Sequence, residues 1–398
     1  MTSNVLVLLD RATARAHALE LLQQTAGLRC EAVTDVDAAV LRLGAARWAL
    51  LLWAAPLRGS AFARLVQALS RCPQCPLLVL AAADDPALLT AAMRYAHGCG
   101  VTVHGYLRGP LEGAAVSALL HSNVAAAVPG PALPPVQGLG GSQPDAAPGR
   151  NEVALAFLPQ ACATDPGDIE AVEVVPCWRG PVPDGSAGPR LLPPPASGEA
   201  ALRRLSQVLE LAAGALAAWL PHGFHPSLSC PFPLALLKLD HCAQRVRRVI
   251  QRRGLHARDL TFELDLSGAG YDLHAMAPAL LDLRAEELEF AVSCGAPHDG
   301  IGFAALLDVP VSELKLAPDL TDGVAFDPHV QQLVAGMVGL AKRLDIRVVA
   351  TGVARPDDFA TLRELGCDFM QGPVVGGLWS AAPLVRPELL RHAGVQHA

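Results

Sequence analysis

The sequence predicts two α/β domains in tandem, an open parallel sheet followed by a (β/α)8 barrel of TIM type. Three observations carry this expectation. Short apolar runs rich in Val, Ile and Leu alternate with amphipathic segments along nearly the whole chain, as β–α repeats require. The alternation is broken once, by a stretch of Pro, Gly and Ala at residues 122–150 that has no apolar period and reads as a linker. Five repeats precede the break and about eight follow it, which suits an open sheet and then a closed barrel. The expected domains are 1–121 and 151–398, joined by 122–150.

In the first domain, strands are expected at Val5–Leu9, Cys30–Val33, Trp48–Trp53, Leu77–Ala81 and Thr102–Tyr106. Helices are expected at Thr13–Gln24, Val36–Leu43, Ala61–Leu69, Pro86–His97 and Leu111–Leu120. In the second, strands are expected near Val153–Leu158, Ala171–Val175, Leu228–Cys230, Leu260–Leu266, Leu288–Cys294, Leu314–Leu316, Ile346–Ala350 and Cys367–Met370. Between them the 3.6-residue period predicts helices at Ala201–Leu220, Leu234–Arg253, Ala275–Arg284, Ile301–Leu307, Val330–Leu344 and Pro356–Leu365. Arg179–Ser197 has no period of its own and reads as a long loop after an early strand. Leu344–Gly372 is the sharpest unit. A β-branched strand ends at Ala350, Gly352 turns the chain, Pro356-Asp357 opens a helix, and Gly366 stops it before the last short strand.

Composition narrows the function classes. Of 398 residues, 52 % are hydrophobic and 17 % charged, and the formal net charge of −7 leaves no basic footprint for nucleic acid or acidic lipid. The longest apolar runs fall far short of the roughly 20 residues of a membrane helix, and no signal peptide is evident, so a cytoplasmic location without membrane contact is expected. The Arg cluster at 245, 247, 248, 252 and 253 has helical spacing beside Val246, Val249 and Ile250 and reads as one solvated helix face. Ten cysteines lack a metal-ligand rhythm. Cys72-Pro-Gln-Cys75 has neither a helix start after it nor a second pair, so it reads as structural.

The size, element order and turn positions of residues 1–121 resemble a response-regulator receiver domain, whose fold is flavodoxin-like. That family's switch needs an acidic cluster for Mg²⁺, a phosphoacceptor Asp, a Thr/Ser and a Lys. By the resemblance, the phosphoacceptor position holds Leu52, the Thr/Ser position Ala81, and the Lys position Gly109, with Arg108 one residue off. An alkyl group cannot be phosphorylated, so the domain is expected to serve in docking or dimerisation. Asp10, Asp84 and Asp85 are turn and cap residues by type.

Residues 151–385 resemble an EAL domain, the barrel that hydrolyses the bacterial second messenger cyclic di-GMP with one or two Mg²⁺ or Mn²⁺ ions. The signature Glu-Ala-Leu-x-Arg-Trp pattern falls on Glu173-Val174-Val175-Pro176-Cys177-Trp178, keeping the Glu and replacing the Arg by Cys177. The Asn ligand falls on Pro231. Glu-Ile-Thr-Glu falls on Glu263-Leu264-Asp265-Leu266, so only its first Glu remains. The paired Asp falls on Ser293-Cys294 if anchored on the strand, or on Pro297-His298 if anchored on Gly300-Ile301-Gly302-Phe303; His298-Asp299 is the one nearby polar pair. Lys-Ile-Asp falls on Lys315-Leu316-Ala317, and Ala-Glu-Gly-Val-Glu on Ala350-Thr351-Gly352-Val353-Ala354. Gln371-Gly372 is intact.

The resemblance therefore implies a vestigial site at Glu173, Glu263, Lys315 and Gln371, with no catalytic residue, no metal and no cofactor; Mg or Mn is expected only if the site were active. The expected function is non-catalytic signalling through another signalling protein. A cyclic di-GMP receptor without hydrolysis is the alternative, and an active phosphodiesterase ranks below it. Different barrel chemistry would have to draw on His298, Asp299 and Asp265, and self-association as a homodimer through either domain stays open.

Overall fold

The computed structural model describes residues 3–9, 28–55, 57–72, 75–81, 86–106, 153–179, 191–192, 195, 197–264, 266, 272–295 and 309–380. These fall into two compact units. The helices expected at Thr13–Gln24, Leu111–Leu120 and Ile301–Leu307 lie outside the described residues, as do Asp10, Asp84, Asp85, Arg108, Gly109, Asp265, His298 and Asp299.

The first unit is built on five parallel strands, β1 (Ser3–Leu8), β2 (Leu28–Val33), β3 (Leu50–Trp53), β4 (Leu77–Leu80) and β5 (Val103–Tyr106). Their order, β2-β1-β3-β4-β5, is that of the flavodoxin-like sheet. Both faces must be covered, so the central strands read as continuous apolar runs, and Leu50 to Trp53 are all buried. Leu51 and Trp53 join the core shared with helices Val36–Ala45, Gly59–Ser70 and Pro86–Gly98. Trp53 meets Phe62 there edge to face, ring centres 5.5 Å apart. Leu50 and Leu52 face the other way, against Val5, Val7 and Val79. Leu52 is fully buried.

Helix Leu273–Arg284 also belongs to the first unit. Ala277 and Leu281 enter its core, the Ser60 amide donates to Asp282 Oδ2 at 3.1 Å, and Tyr95 stacks on His274 at 4.8 Å. The approach depends on Gly59, because a Cβ there would lie 1.8 Å from the Pro278 carbonyl oxygen.

The second unit is a closed barrel of eight strands: β6 (Val153–Cys162), β7 (Ile169–Trp178), β8 (Ser227–Phe232), β9 (Leu260–Leu264), β10 (Glu289–Cys294), β11 (Glu313–Leu316), β12 (Arg347–Ala350) and β13 (Phe369–Gln371). Seven run parallel, and β6 closes the ring antiparallel to both β7 and β13. The sequence pattern suggested uniform β–α repeats, but Ala163–Asp168 is too short for a crossover helix, so β6 and β7 form a hairpin. Asp165 shapes its turn by accepting from the Gly167 amide at 3.1 Å. A short added strand, β14 (Trp379–Ser380), pairs with β6 and was not read from the sequence.

The helix expected across Leu234–Arg253 is two pieces, a 3-10 segment Leu234–Lys238 and an α-helix Cys242–Arg252. Between them Leu239 is extended and His241 takes a left-handed φ of 55°, which no regular helix accommodates. The Arg face behaves as expected, with Arg245 gripping Glu199 through two 2.8 Å bonds and Arg247 paired to Glu286.

Residues 344–372 hold their shape through backbone contacts. Buried Asp358 accepts from the Gly323 and Ala325 amides at 3.0 and 2.9 Å, and Val353 N donates to Gln371 O at 3.0 Å. Gly372 has φ 141°, and a Cβ there would sit 2.4 Å from Val353 N. Among the described residues no helix is long and apolar enough to cross a membrane. Gly372→Ala is expected to cost about 1–3 kcal/mol of stability in urea denaturation, from strained backbone and the Val353 clash; an unchanged midpoint would contradict the close approach.

Candidate functional site

Directly paired residues in neighbouring strands project to the same face, so the register fixes what lines the barrel. Glu173 pairs with Ser229, Ser229 with Thr261, Pro231 with Glu263, and Glu263 with Ala291. Ala291 pairs with Glu313, Ser293 with Lys315, and Lys315 with Val349. The interior therefore carries Glu173, Glu263, Glu313 and Lys315 where a barrel core is ordinarily branched and aliphatic.

The register brings together all four residues the sequence singled out. Lys315 Nζ donates to Glu173 Oε2 at 2.8 Å and to Glu263 Oε1. Gln371 Nε2 donates to Glu173 Oε2 at 2.9 Å, and Ser229 Oγ donates to Glu263 Oε1 at 2.5 Å. The Lys315 side chain is 3 % exposed and its two carboxylate partners 23 % and 21 %. Ser229 and Glu313 were not singled out, although strict alternation along β8 and β11 points both inward.

Burial works against each charge, and the neighbours decide the outcome. Burial pushes Glu173 up, yet Lys315 and the bonds from Lys315 and Gln371 leave its carboxyl below the ordinary range. Burial also pushes Glu263 up, and with Glu173 adding repulsion the Lys315 ammonium does not fully offset it, so Glu263 stays raised. Burial would discharge Lys315, but Glu263, Glu173 and Glu313 together hold it as the ammonium, its pKa raised. Burial pushes the Cys230 thiol strongly up, with Glu263 adding to the effect, so it is no thiolate ligand or nucleophile.

The other strand ends carry different chemistry. Cys177 is buried and its thiol, pushed up by burial, lies 3.5 Å from the Ala154 carbonyl. Pro231 occupies β8 and has no ligating group. On β10, Ser293 is level with Lys315 and Cys294 ends the strand. Thr351 donates its hydroxyl to the Leu316 carbonyl at 2.8 Å, and its own carbonyl accepts from Thr321 Oγ1 at 2.6 Å. Its polar atoms tie strand ends together. Among the described residues no group of three or more His, Cys, Asp or Glu could hold a metal ion.

A closed barrel with one antiparallel strand, and a Lys bridging two Glu in its interior beside a Gln, defines an EAL-like β/α barrel. Residues 143–377, more than half of the chain, match the EAL domain family, and the chain belongs to that family. It is 27 % identical over 57 % of its length to the bifunctional diguanylate cyclase/cyclic di-GMP phosphodiesterase MucR of Pseudomonas aeruginosa, covering 33 % of that protein. A second cyclic di-GMP phosphodiesterase of the same organism is 28 % identical over 52 % of this chain and 35 % of its own. The chain thus spans about a third of these curated relatives. The solved structure "PaMucR Phosphodiesterase, c-di-GMP complex" matches in fold at TM-score 0.50 and 23 % identity, covering 59 % of this chain and 95 % of that one.

The signs of the shifts give a pH dependence. Glu173, held low, contributes stability that is present above the unfolded carboxylate pKa and lost as pH falls through its folded value. Lys315, held high, contributes stability that is present below the unfolded lysine pKa and lost as pH rises through its folded value. Lys315→Met leaves two buried carboxylates without their cation, and its expected cost at neutral pH is about 3–5 kcal/mol. Part of that loss should return on acidification through the carboxylate range, read from urea midpoints. A variant equally destabilised at every pH would mean the triad is not the cause.

Proposed function

We propose that this chain is a non-catalytic member of the EAL family that works in signalling by binding another protein, without Mg or Mn. The observation that carries the reading is the donor set at the strand ends. Of the interior carboxylates, Glu173 and Glu263 lie at this site, and Lys315 already lies between them, so the residues present do not fit a pair of divalent cations that need several hard oxygen ligands. Cys177, Pro231, Ser293, Cys294, Ala317, Thr351 and Ala354 supply no further carboxylate. No hydrolytic step is derived through such ions.

The first unit supports the same reading. Its strand order is flavodoxin-like, as a receiver's would be, and Leu52, which the resemblance sets at the phosphoacceptor position, is an alkyl side chain fully inside the sheet core. A receiver-like sheet with an alkyl group at that position, joined to a barrel with few of the family's acids, suits recognition by surface.

The second reading is a cyclic di-GMP receptor that binds without cleaving. It is favoured by family membership, by the cyclic di-GMP phosphodiesterases among its relatives and by the retained Lys315 and Gln371. Against it stands charge: Lys315 is already engaged by Glu173 and Glu263, and Cys177 offers no guanidinium to a dianionic ligand.

Calorimetric titration of the full chain with cyclic di-GMP, with and without Mg²⁺, separates the readings. The expected result is no heat at micromolar nucleotide and no metal-dependent product, while crosslinking in cells recovers a defined protein partner. Nucleotide heat without product would move the assignment to receptor. Metal-dependent turnover abolished by Glu173→Ala would overturn both.

A further inference from the structure

Toward the N-terminal ends of the strands, separated from the Glu173–Glu263 pair by Ser229, the barrel encloses a second polar feature. A cavity of about 50 Å³ is lined by Gln160, Glu170, Ser227, Ser229, Glu313 and Arg347, among others. Two side-chain atoms on its lining residues are buried without a protein partner, Gln160 Nε2 and Glu313 Oε1. The residues are 1 % and 5 % exposed, so bulk solvent does not satisfy either atom. One is a donor and the other an acceptor.

The chemistry of the lining selects the occupant. A cation would meet the amide donor of Gln160 and the guanidinium of Arg347. An anion would meet the carboxylate of Glu313. Arg347 does not satisfy Glu313, since it lies 2.7 Å from Glu289 Oε2 but 3.7 Å from Glu313 Oε2. Ser227 donates its hydroxyl hydrogen to the Glu170 carbonyl at 3.2 Å, which leaves its oxygen as an acceptor toward the cavity. A small neutral group that accepts from Gln160 and donates to Glu313 and Ser227 satisfies the two unpartnered atoms and that hydroxyl. Water is such a group, and it needs roughly 10–15 Å³ of this kind of space and two to four polar partners.

Glu313 also faces the site from behind. It precedes Lys315 by two residues on β11, so both side chains project into the barrel, and it is one of three carboxylates whose charge favours the Lys315 ammonium. Burial raises the Glu313 pKa, and a water donating to Oε1 would favour the ionised form.

We propose that an internal water bridges Gln160 Nε2 and Glu313 Oε1, and that the hydrated Glu313 is a positioning residue for Lys315. Arg347, Glu313, Lys315 and the Glu173–Glu263 pair then form a column of alternating charge along the barrel interior. The column fixes Lys315 from the side opposite its two partners. This inference is independent of whether the C-terminal end binds a nucleotide.

The chain has only three lysines, Lys238, Lys315 and Lys342, so ¹⁵N-lysine labelling of the full chain resolves the Lys315 ammonium by NMR. Glu313→Gln is expected to move the Lys315 Nζ resonance and speed its exchange with solvent several-fold, with Lys238 and Lys342 unmoved. Gln160→Ala, which removes the carboxamide and leaves Glu313 in place, should move it in the same sense by less, and serves if Glu313→Gln fails to fold. A crystal structure of the parent chain should place a water within hydrogen-bond distance of both atoms. A Lys315 resonance unmoved in both variants would overturn the positioning role. A dry cavity, or a rubidium anomalous peak within it, would overturn the water bridge.

Discussion

The buried ammonium of Lys315 sets the terms for the rest of the barrel. A lysine that is 2 % exposed has lost nearly all of its hydration, and only charged acceptors held at contact distance can compensate. Glu173 and Glu263 come from β7 and β9, whereas Lys315 comes from β11, so the pairing works only if the ring between them keeps its register. The ion cluster and the barrel thus constrain each other. A slip of one residue in any of these strands would turn a charged group into the helix layer and leave its partner unpaired. Specificity of register is the firmest consequence of placing charge here, since buried ion pairs are weak evidence for net stability.

A second constraint, the short connection from β6 to β7, makes β6 run against its neighbours. Its antiparallel pairing to β7 and β13 closes the ring with a six-residue connection, Ala163–Asp168, and sets Gln160 level with Gln371. That places two amides side by side at one edge of the polar interior. Gln371 donates to Glu173, and Gln160 lines the cavity. An all-aliphatic core would hold the barrel as well. The polar one ties each strand to named partners.

Much of this was legible in the sequence, and the reasons differ by element. Buried parallel strands are continuous apolar runs, so β3, β4 and β12 stood out directly. Gly352, Pro356 and Gly366 punctuate the last repeat so sharply that its turn, helix start and helix stop follow from residue type. Glu173, Glu263, Lys315 and Gln371 were found through spacing to a family pattern, and the register shows that they meet. Strand direction was not legible, because the alternation along β6 is the same whichever way it runs. The break at Leu239–His241 was hidden by helical spacing on both sides of it. Alternation along β8 and β11 points Ser229 and Glu313 inward, but which residues they meet there depends on the register between strands.

Thr351 brings the two kinds of position together. It stands where the family pattern carries an acid, yet its hydroxyl and carbonyl bind Leu316 and Thr321, so the strand end stays fixed without a carboxylate. The surrounding turn rests on Gly352, on Asp358 accepting two amides, and on the close pass of Gly372 beside Val353. None of these contacts uses a group that would touch a metal or a phosphate. The framework of this repeat is therefore energetically separate from the chemistry at its mouth. A chain can change the acids at the strand ends while the turn, the helix and the register persist, which is why family membership is readable here on grounds that leave activity to be decided by the donor set alone.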